Sequence, residues 1–260
     1  MSATIRPERN WVAPLVTLVL LIVLWDLVVR AFDIKPFILP TPWMVGEALA
    51  RDFGALVHHG TTTMQEVLAG FALSVLVGVP LALAIASSPL FERAAYPLLV
   101  GSQAVPKIAI APLFVIWLGF GIAPKILMAF LISIFPVIVA GVVGLRSVEA
   151  EKLHLARSMG ASRWQTFAMF RLPSALPSLF GGLKLAIAFA VTGAVVGEFI
   201  GADRGLGRVI MVANGNLDTP ALFAAVVVLT AMAVALFYLV EALERVTVRW
   251  HVSQRLKGDA

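Results

Sequence analysis

Apolar residues in this chain come in long unbroken runs, not in the three-to-four or alternating spacing of a soluble helix or strand. Runs near or above the roughly 18–20 residues that cross a bilayer as a helix fall at about 11–29, 62–87, 97–119, 124–145, 180–200 and 220–242. They predict six membrane-spanning helices. Breakers punctuate them. Gly60 and Thr61-Thr62-Thr63 precede the second run, and Ser87-Ser88-Pro89 closes it. Pro124 opens the fourth run and Pro220 the sixth. Pro106 and Pro112 stand inside the third run, which is expected to kink, or to begin near Pro106 after an interfacial helix.

Composition agrees with this pattern. The 260 residues are 60% hydrophobic and 13% charged, whereas soluble domains are about 45–50% apolar and about 25% charged. Arg6 and Arg9 precede the first run as in a secretory signal. The run is longer than a signal's apolar region, however, and Val29-Arg30-Ala31 is a poor cleavage site, so a retained span is expected. The net charge of +5 is explained by basic loops on one side of a membrane, without nucleic acid. With the N-terminus inside, Arg6, Arg9, Arg93, Arg146, Lys152, Arg157, Arg163, Arg171, Arg245, Arg249, Arg255 and Lys257 face the cytoplasm. Arg30, Lys35, Arg51, Lys125, Arg204 and Arg208 face outward. That bias places both termini in the cytoplasm.

The intervening segments divide the chain into a first span and external loop (1–60), a transmembrane core (61–245) and a basic cytoplasmic tail (246–260). There is no internal repeat. In the external loop, Leu39-Pro40-Thr41-Pro42 precedes a predicted surface helix, Trp43–Val57. Residues 201–219 form a second external loop. The cytoplasmic segment 146–179 reads as a helix, Lys152–Met159, stopped by Gly160. Ser162 then caps a second helix, Trp164–Arg171, which Leu172-Pro173 breaks. Apolar Leu153, Leu155, Ala156 and Met159 interleave with basic residues. That pattern suits a docking knob for a protein groove, and equally an amphipathic helix lying on anionic lipid.

Small residues recur every four positions at Gly70, Ser74, Gly78, Ala82 and Ala86. They recur again at Gly182, Ala186, Ala190 and Ala194, and at Gly193, Gly197 and Gly201. Such stripes let helices pack closely in lipid, within one subunit, at a dimer interface or along a substrate path. Charges within spans are costly and face protein or water. Asp26 is expected at an interface, and Glu66 and Lys184 lie near span ends. Glu198 is expected to border an external vestibule or the translocation path. Lys107 is read as a path or gate residue, as a structural ion pair, or as an interfacial lysine.

Enzyme chemistry finds no support in the motifs. There is no cysteine, so no disulfide or thiolate site. No phosphate-binding loop, nucleophile elbow or zinc-helix motif occurs. His58, His59, His154 and His251 have no metal-ligand spacing. No catalytic, cofactor-binding or metal-binding residue is expected.

The stretch "LARSMGASRWQTFAMFRLP" resembles the EAA loop of ABC-transporter permeases of the type I, binding-protein-dependent class. Ala156 matches the last alanine of that pattern, Gly160 its glycine and Leu172-Pro173 its end. His154, Leu155 and Phe170 depart from it. "LPTPWMV", "VPKIAIAPLFVIWLGFG", "GLRSVEAE", "LPSALPSLFGGLKLA" and "GADRGLG" resemble the nitrate/sulfonate/taurine-type permeases.

The resemblance implies an all-α polytopic protein with the type I importer permease fold, in a bacterial inner membrane. It implies a homodimer and two ATPase subunits that bind the ATP, this chain holding no cofactor. It also implies a periplasmic or lipid-anchored solute-binding protein that delivers a small oxyanion, sulfonate or vitamin-like solute. His154, Leu155, Ala156, Arg157, Ser158, Met159, Gly160, Ala161, Ser162, Arg163, Leu172 and Pro173 would form the ATPase-coupling segment. The competing class is a secondary transporter that runs without ATPases. It would need paired broken helices and coupling carboxylates near mid-membrane.

Overall fold

The computed structural model describes residues 12–248. The basic residues of both terminal segments, His251 and most of the expected tail lie outside the described residues. Among the described residues every regular element is helical. In chain order these are α1 (Val12–Ala31), α2 (Pro42–Arg51), α3 (Phe53–Ser87), α4 (Pro89–Ala104), α5 (Lys107–Leu118), α6 (Ala123–Arg146), α7 (Ala150–Ser158) and α8 (Arg163–Thr166). A π-helical turn (Phe167–Arg171) then leads into α9 (Leu172–Gly201), followed by α10 (Leu206–Gly215) and α11 (Thr219–Thr247). Five helices are long and apolar enough to cross a membrane, and counting α4 with α5 as one broken span makes six.

Three boundaries differ from the sequence expectation, each for a local reason, while the break expected at Pro106 is present. The surface helix ends at Arg51, not Val57, because Asp52 closes α2 and starts α3. Its N–H donates to Ala48 O at 3.0 Å, and its own carbonyl accepts from Leu56 N at 2.9 Å. Gly60 and the threonines therefore lie inside α3. There Thr61 returns its hydroxyl to His58 O at 2.7 Å. The third run breaks at Val105-Pro106, and α4 and α5 are bent by 94°. Leu172-Pro173 does not break the chain. The π turn, with Leu172 N–H donating to Phe167 O, carries the helix past Pro173, which falls in the first turn of α9. Single π-helical turns of this kind are rare and occur mostly inside α-helices, frequently at functional sites.

The bundle is organised around α6, which lies between α3 and α9. A Cβ added at Gly70 would strike Ala129 Cβ and stand 2.9 Å from Ile126 O. One at Gly182 would strike Ala140 Cβ and stand 2.8 Å from Pro136 O, and one at Gly193 would lie 2.6 Å from Ala129 Cα. In the reverse direction, Gly141 of α6 receives Ala82, and Gly144 receives Ala175. The small-residue stripes thus pack α3 and α9 onto α6 within one subunit. Ser74 and Ser133 meet across the α3–α6 contact with hydroxyl oxygens 2.6 Å apart; one donates to the other, and the acceptor's own proton is free for the carbonyl one turn back in its helix.

Val67, Ala129, Ile187, Ala190, Met232 and Leu236 fill the centre and bring in α11. At one end Val45 and Ala48 of α2 pack with Leu56, Leu206, Ala224 and Ala225. By contrast α1 buries only Val29 and touches the bundle through Trp25, whose ring lies 5.6 Å from that of Phe223. A helix apolar on every face, and exposed along most of its length, is one that lies against lipid.

Close backbone approach leads to a stability prediction. Gly182→Leu should destabilise the purified protein by about 1–3 kcal/mol through overpacking, read as a lower unfolding midpoint. Gly181→Ala, where nothing lies within 4 Å of the added Cβ, should leave the midpoint unchanged.

Candidate functional site

Two polar constellations lie toward opposite ends of α9. The first is the hairpin of α7, α8 and the π turn. Helix α7 ends in a left-handed glycine, Gly160, at φ 76°. Gly160 N–H donates to Arg157 O and Ala161 N–H to Ala156 O, both at 3.0 Å. That bond pair is a Schellman stop, which satisfies the terminal carbonyls and reverses the chain at once. Ser162 then caps α8. Its Oγ accepts from Gln165 N at 3.2 Å, while Gln165 Oε1 accepts from Ser162 N at 2.8 Å. This reciprocal capping box makes the four-residue link, 159–162, a fixed corner.

The residues from His154 to Arg163 are brought together by that corner. Ala156 is buried, while Leu155 and Met159 are 61% and 77% exposed on one face of α7, with Trp164 also exposed beyond the turn. His154, in the position of the motif glutamate, is exposed. Leu172 and Pro173 stand apart from the tip, at the root where α9 begins. The root is clamped. Arg146, at the end of α6, forks onto Glu92 Oε1 and Oε2 at 2.5 and 2.7 Å, and reaches Ile85 O at 3.4 Å. One guanidinium therefore joins the adjacent ends of α3, α4 and α6.

The second constellation is buried near the other end of the bundle. Glu66 of α3 is 0% exposed, Glu198 of α9 1% and Lys125 of α6 6%. Lys125 Nζ lies 3.2 Å from Glu66 Oε1, and the carboxylate of Glu198 faces that of Glu66. No well-directed hydrogen bond reaches either oxygen of Glu66. Glu198 is fully engaged: Oε1 accepts from Thr63 Oγ1 at 2.6 Å, and Oε2 accepts from Gly207 N–H.

The start of α10 is stitched to the same group. Leu206 N–H donates to Thr63 Oγ1 at 2.8 Å, and Gly205 N–H to His59 Nδ1 at 3.1 Å. Backbone donors at a helix start are well placed to hold a carboxylate. Gly205 and Gly207 are required for it, since a Cβ at either would collide with the Glu198 side chain. Sequence reasoning placed Glu198 in its span but counted Lys125, at the start of the fourth run, among the outward-facing charges, whereas it is buried. The available signal was one lysine and two glutamates at matched depth in the second, fourth and fifth runs.

Lys107 stands at the break between α4 and α5, hydrogen-bonded to Gln103. It lines a largely apolar cavity of about 230 Å³ with Ser102, Ile110, Ile134 and Phe135. Other charges pair locally. Asp26 holds Arg30 at 2.7 Å, and Lys184 holds Glu244 at 2.8 Å.

A bundle of five long apolar helices, a sixth candidate span broken at Pro106 beside a cavity, and a structured hairpin has the make-up of a polytopic membrane protein. By sequence, residues 74–250 match the family described as "Binding-protein-dependent transport system inner membrane component", and the chain belongs to that family. It is a multi-pass inner-membrane permease subunit of the ABC importer class.

The chain is 40% identical over 240 residues to the riboflavin transport system permease protein RibX of Chloroflexus aurantiacus, covering 92% of this chain and 90% of that protein. It is 34% identical over 242 residues to the formylaminopyrimidine transport permease protein ThiX of Halalkalibacterium halodurans (93% and 96% covered). It is 32% identical over 242 residues to the taurine transport system permease protein TauC of Escherichia coli (90% and 88% covered). The fold matches a chain of the MetNI methionine ABC transporter in an inward-facing conformation. The TM-score is 0.59 at 18% identity, over 81% of this chain and 97% of that one.

The buried charges make a sharp energetic prediction. Lys125→Met leaves two carboxylates without a cation and should cost about 3–5 kcal/mol, read as a lowered unfolding midpoint in detergent. Adding Glu66→Leu should recover most of that loss, because Glu198 keeps its own donors.

Proposed function

We propose that two copies of this chain form the translocation path of an importer driven by two ATPase subunits, with both termini cytoplasmic. A binding protein on the outer face delivers the solute, either a small sulfonate or oxyanion or a vitamin-like heterocycle. The relatives named for riboflavin, formylaminopyrimidine and taurine transport support that range. The observation that carries the reading is the hairpin. A capped, corner-locked helix presents Leu155 and Met159 outward, as an apolar anchor for a groove should.

The hairpin also has a mechanical continuation. From Trp164 to Gly201 the chain is helical throughout, a rod of about 57 Å at 1.5 Å per residue. It starts at the hairpin and ends beside the buried charge cluster. A push on the hairpin is thereby delivered to the outer end of the path, in a two-state protein biased by its partner's nucleotide. Lys107 faces the path at the α4–α5 break. Glu198 meets it only when the loop before α10 lifts.

The docking role is tested by co-purification with the ATPase and by transport-linked ATP hydrolysis. Gly160→Asp and Met159→Glu should each lower coupled hydrolysis at least tenfold with unchanged membrane levels, and full coupling in both would overturn the role. Lys107→Ala should reduce solute uptake by about tenfold while the subunits stay assembled. Normal uptake at normal expression would remove Lys107 from the path.

A further inference from the structure

The root of the hairpin encloses a cavity of about 630 Å³ between the last turns of α3 and the segment from α8 into the π turn. Leu83, Trp164 and Phe167 give it apolar walls, and Arg157 and Arg171 line it on the basic side. No carboxylate lines it. Of the other basic groups at this end, Arg146 pairs with Glu92 at 2.5 Å and Lys152 with Glu149 at 3.2 Å. Arg157 and Arg171 are left with no acidic partner among the described residues.

Depth and direction identify what fits. Leu83 is one turn from the end of α3, and Arg171 directly precedes the apolar run of α9. The cavity therefore straddles the plane where hydrocarbon meets headgroups, the level at which tryptophan and arginine concentrate. On α7, Arg157 is roughly 180° around the helix from the midpoint of Leu155 and Met159, at 3.6 residues per turn. The apolar docking face and the basic cavity face thus point apart. A soluble partner that grips the first does not fill the second.

We propose that this cavity binds one anionic phospholipid, its phosphate between Arg157 and Arg171 and its acyl region against Leu83 and Phe167. The hairpin then serves both roles that its sequence pattern allowed: one face for a protein groove and the other for lipid. This site does not depend on the docking role of the tip, since it needs only the permease and its membrane.

The test uses the full-length protein in mild detergent, with bound lipid counted by native mass spectrometry. Phosphatidylglycerol should be retained in preference to phosphatidylcholine. Arg157→Gln with Arg171→Gln should weaken phosphatidylglycerol about 30-fold, each charge being worth roughly fivefold at an anionic surface. The double lysine variant should retain binding within about fivefold, and Arg30→Gln should change nothing. Should the double glutamine variant fail to fold, each single variant carries the test with about a fivefold loss.

Equal retention of the two lipids, or unchanged binding in the glutamine variants, overturns the proposal. Displacement of the lipid by millimolar inorganic phosphate would assign the arginines to a soluble anion instead. Loss of ATPase co-purification with lipid binding intact would assign them to a protein partner.

Discussion

Everything in this subunit depends on how closely α6 is allowed to approach its two neighbours. In lipid there is no hydrophobic force to press helices together, so contact must come from packing and from polar groups buried between them. Gly70, Gly182 and Gly193 remove the side chains that would hold α3 and α9 away, and Gly141 and Gly144 do the same from α6. The resulting gaps are too narrow for lipid. Ser74 and Ser133 can then meet across one of them, and Lys125 can be buried against Glu66 across the same contact.

That close packing turns two distant constellations into parts of one frame. Near the C-terminal end of α9, Glu198 collects Thr63 of α3 and the first backbone donors of α10. At its beginning, the π turn and α8 join it to the hairpin without an interruption of helix. Arg146 fastens the ends of α3, α4 and α6 nearby. The least continuous part is the α4–α5 pair, broken at Pro106, where Lys107 lies beside a cavity. A stiff frame beside a broken helix is an arrangement in which one region can move while its reference stays fixed.

Family membership narrows what these parts serve without dictating their details. The hairpin has the stop and cap that its own sequence predicts, at Gly160 and Ser162, and His154, which stands where the EAA pattern has glutamate, is exposed. The corner is held by backbone bonds and by Gln165, so its shape does not need that glutamate. The glycines of "GADRGLG" likewise have a concrete role here, making room for the Glu198 carboxylate.

Local chemistry made much of this legible in the sequence. Six apolar runs, the Gly160 turn, the Ser162 cap and the break at Pro106 all follow from the length a bilayer demands and from single-residue backbone preferences. Those are short-range properties, and they need no knowledge of neighbours. The failures came where a neighbour decides. The continuity of helix through Leu172-Pro173 rests on a π turn, and no residue in that stretch encodes such a turn alone. Whether the small-residue stripes face another subunit or α6, and whether Lys125 faces outward or into the core, are questions about what stands opposite. Only the tertiary fold decided them, because burying a charge or a bare backbone is favourable solely when a complementary surface is already there to receive it.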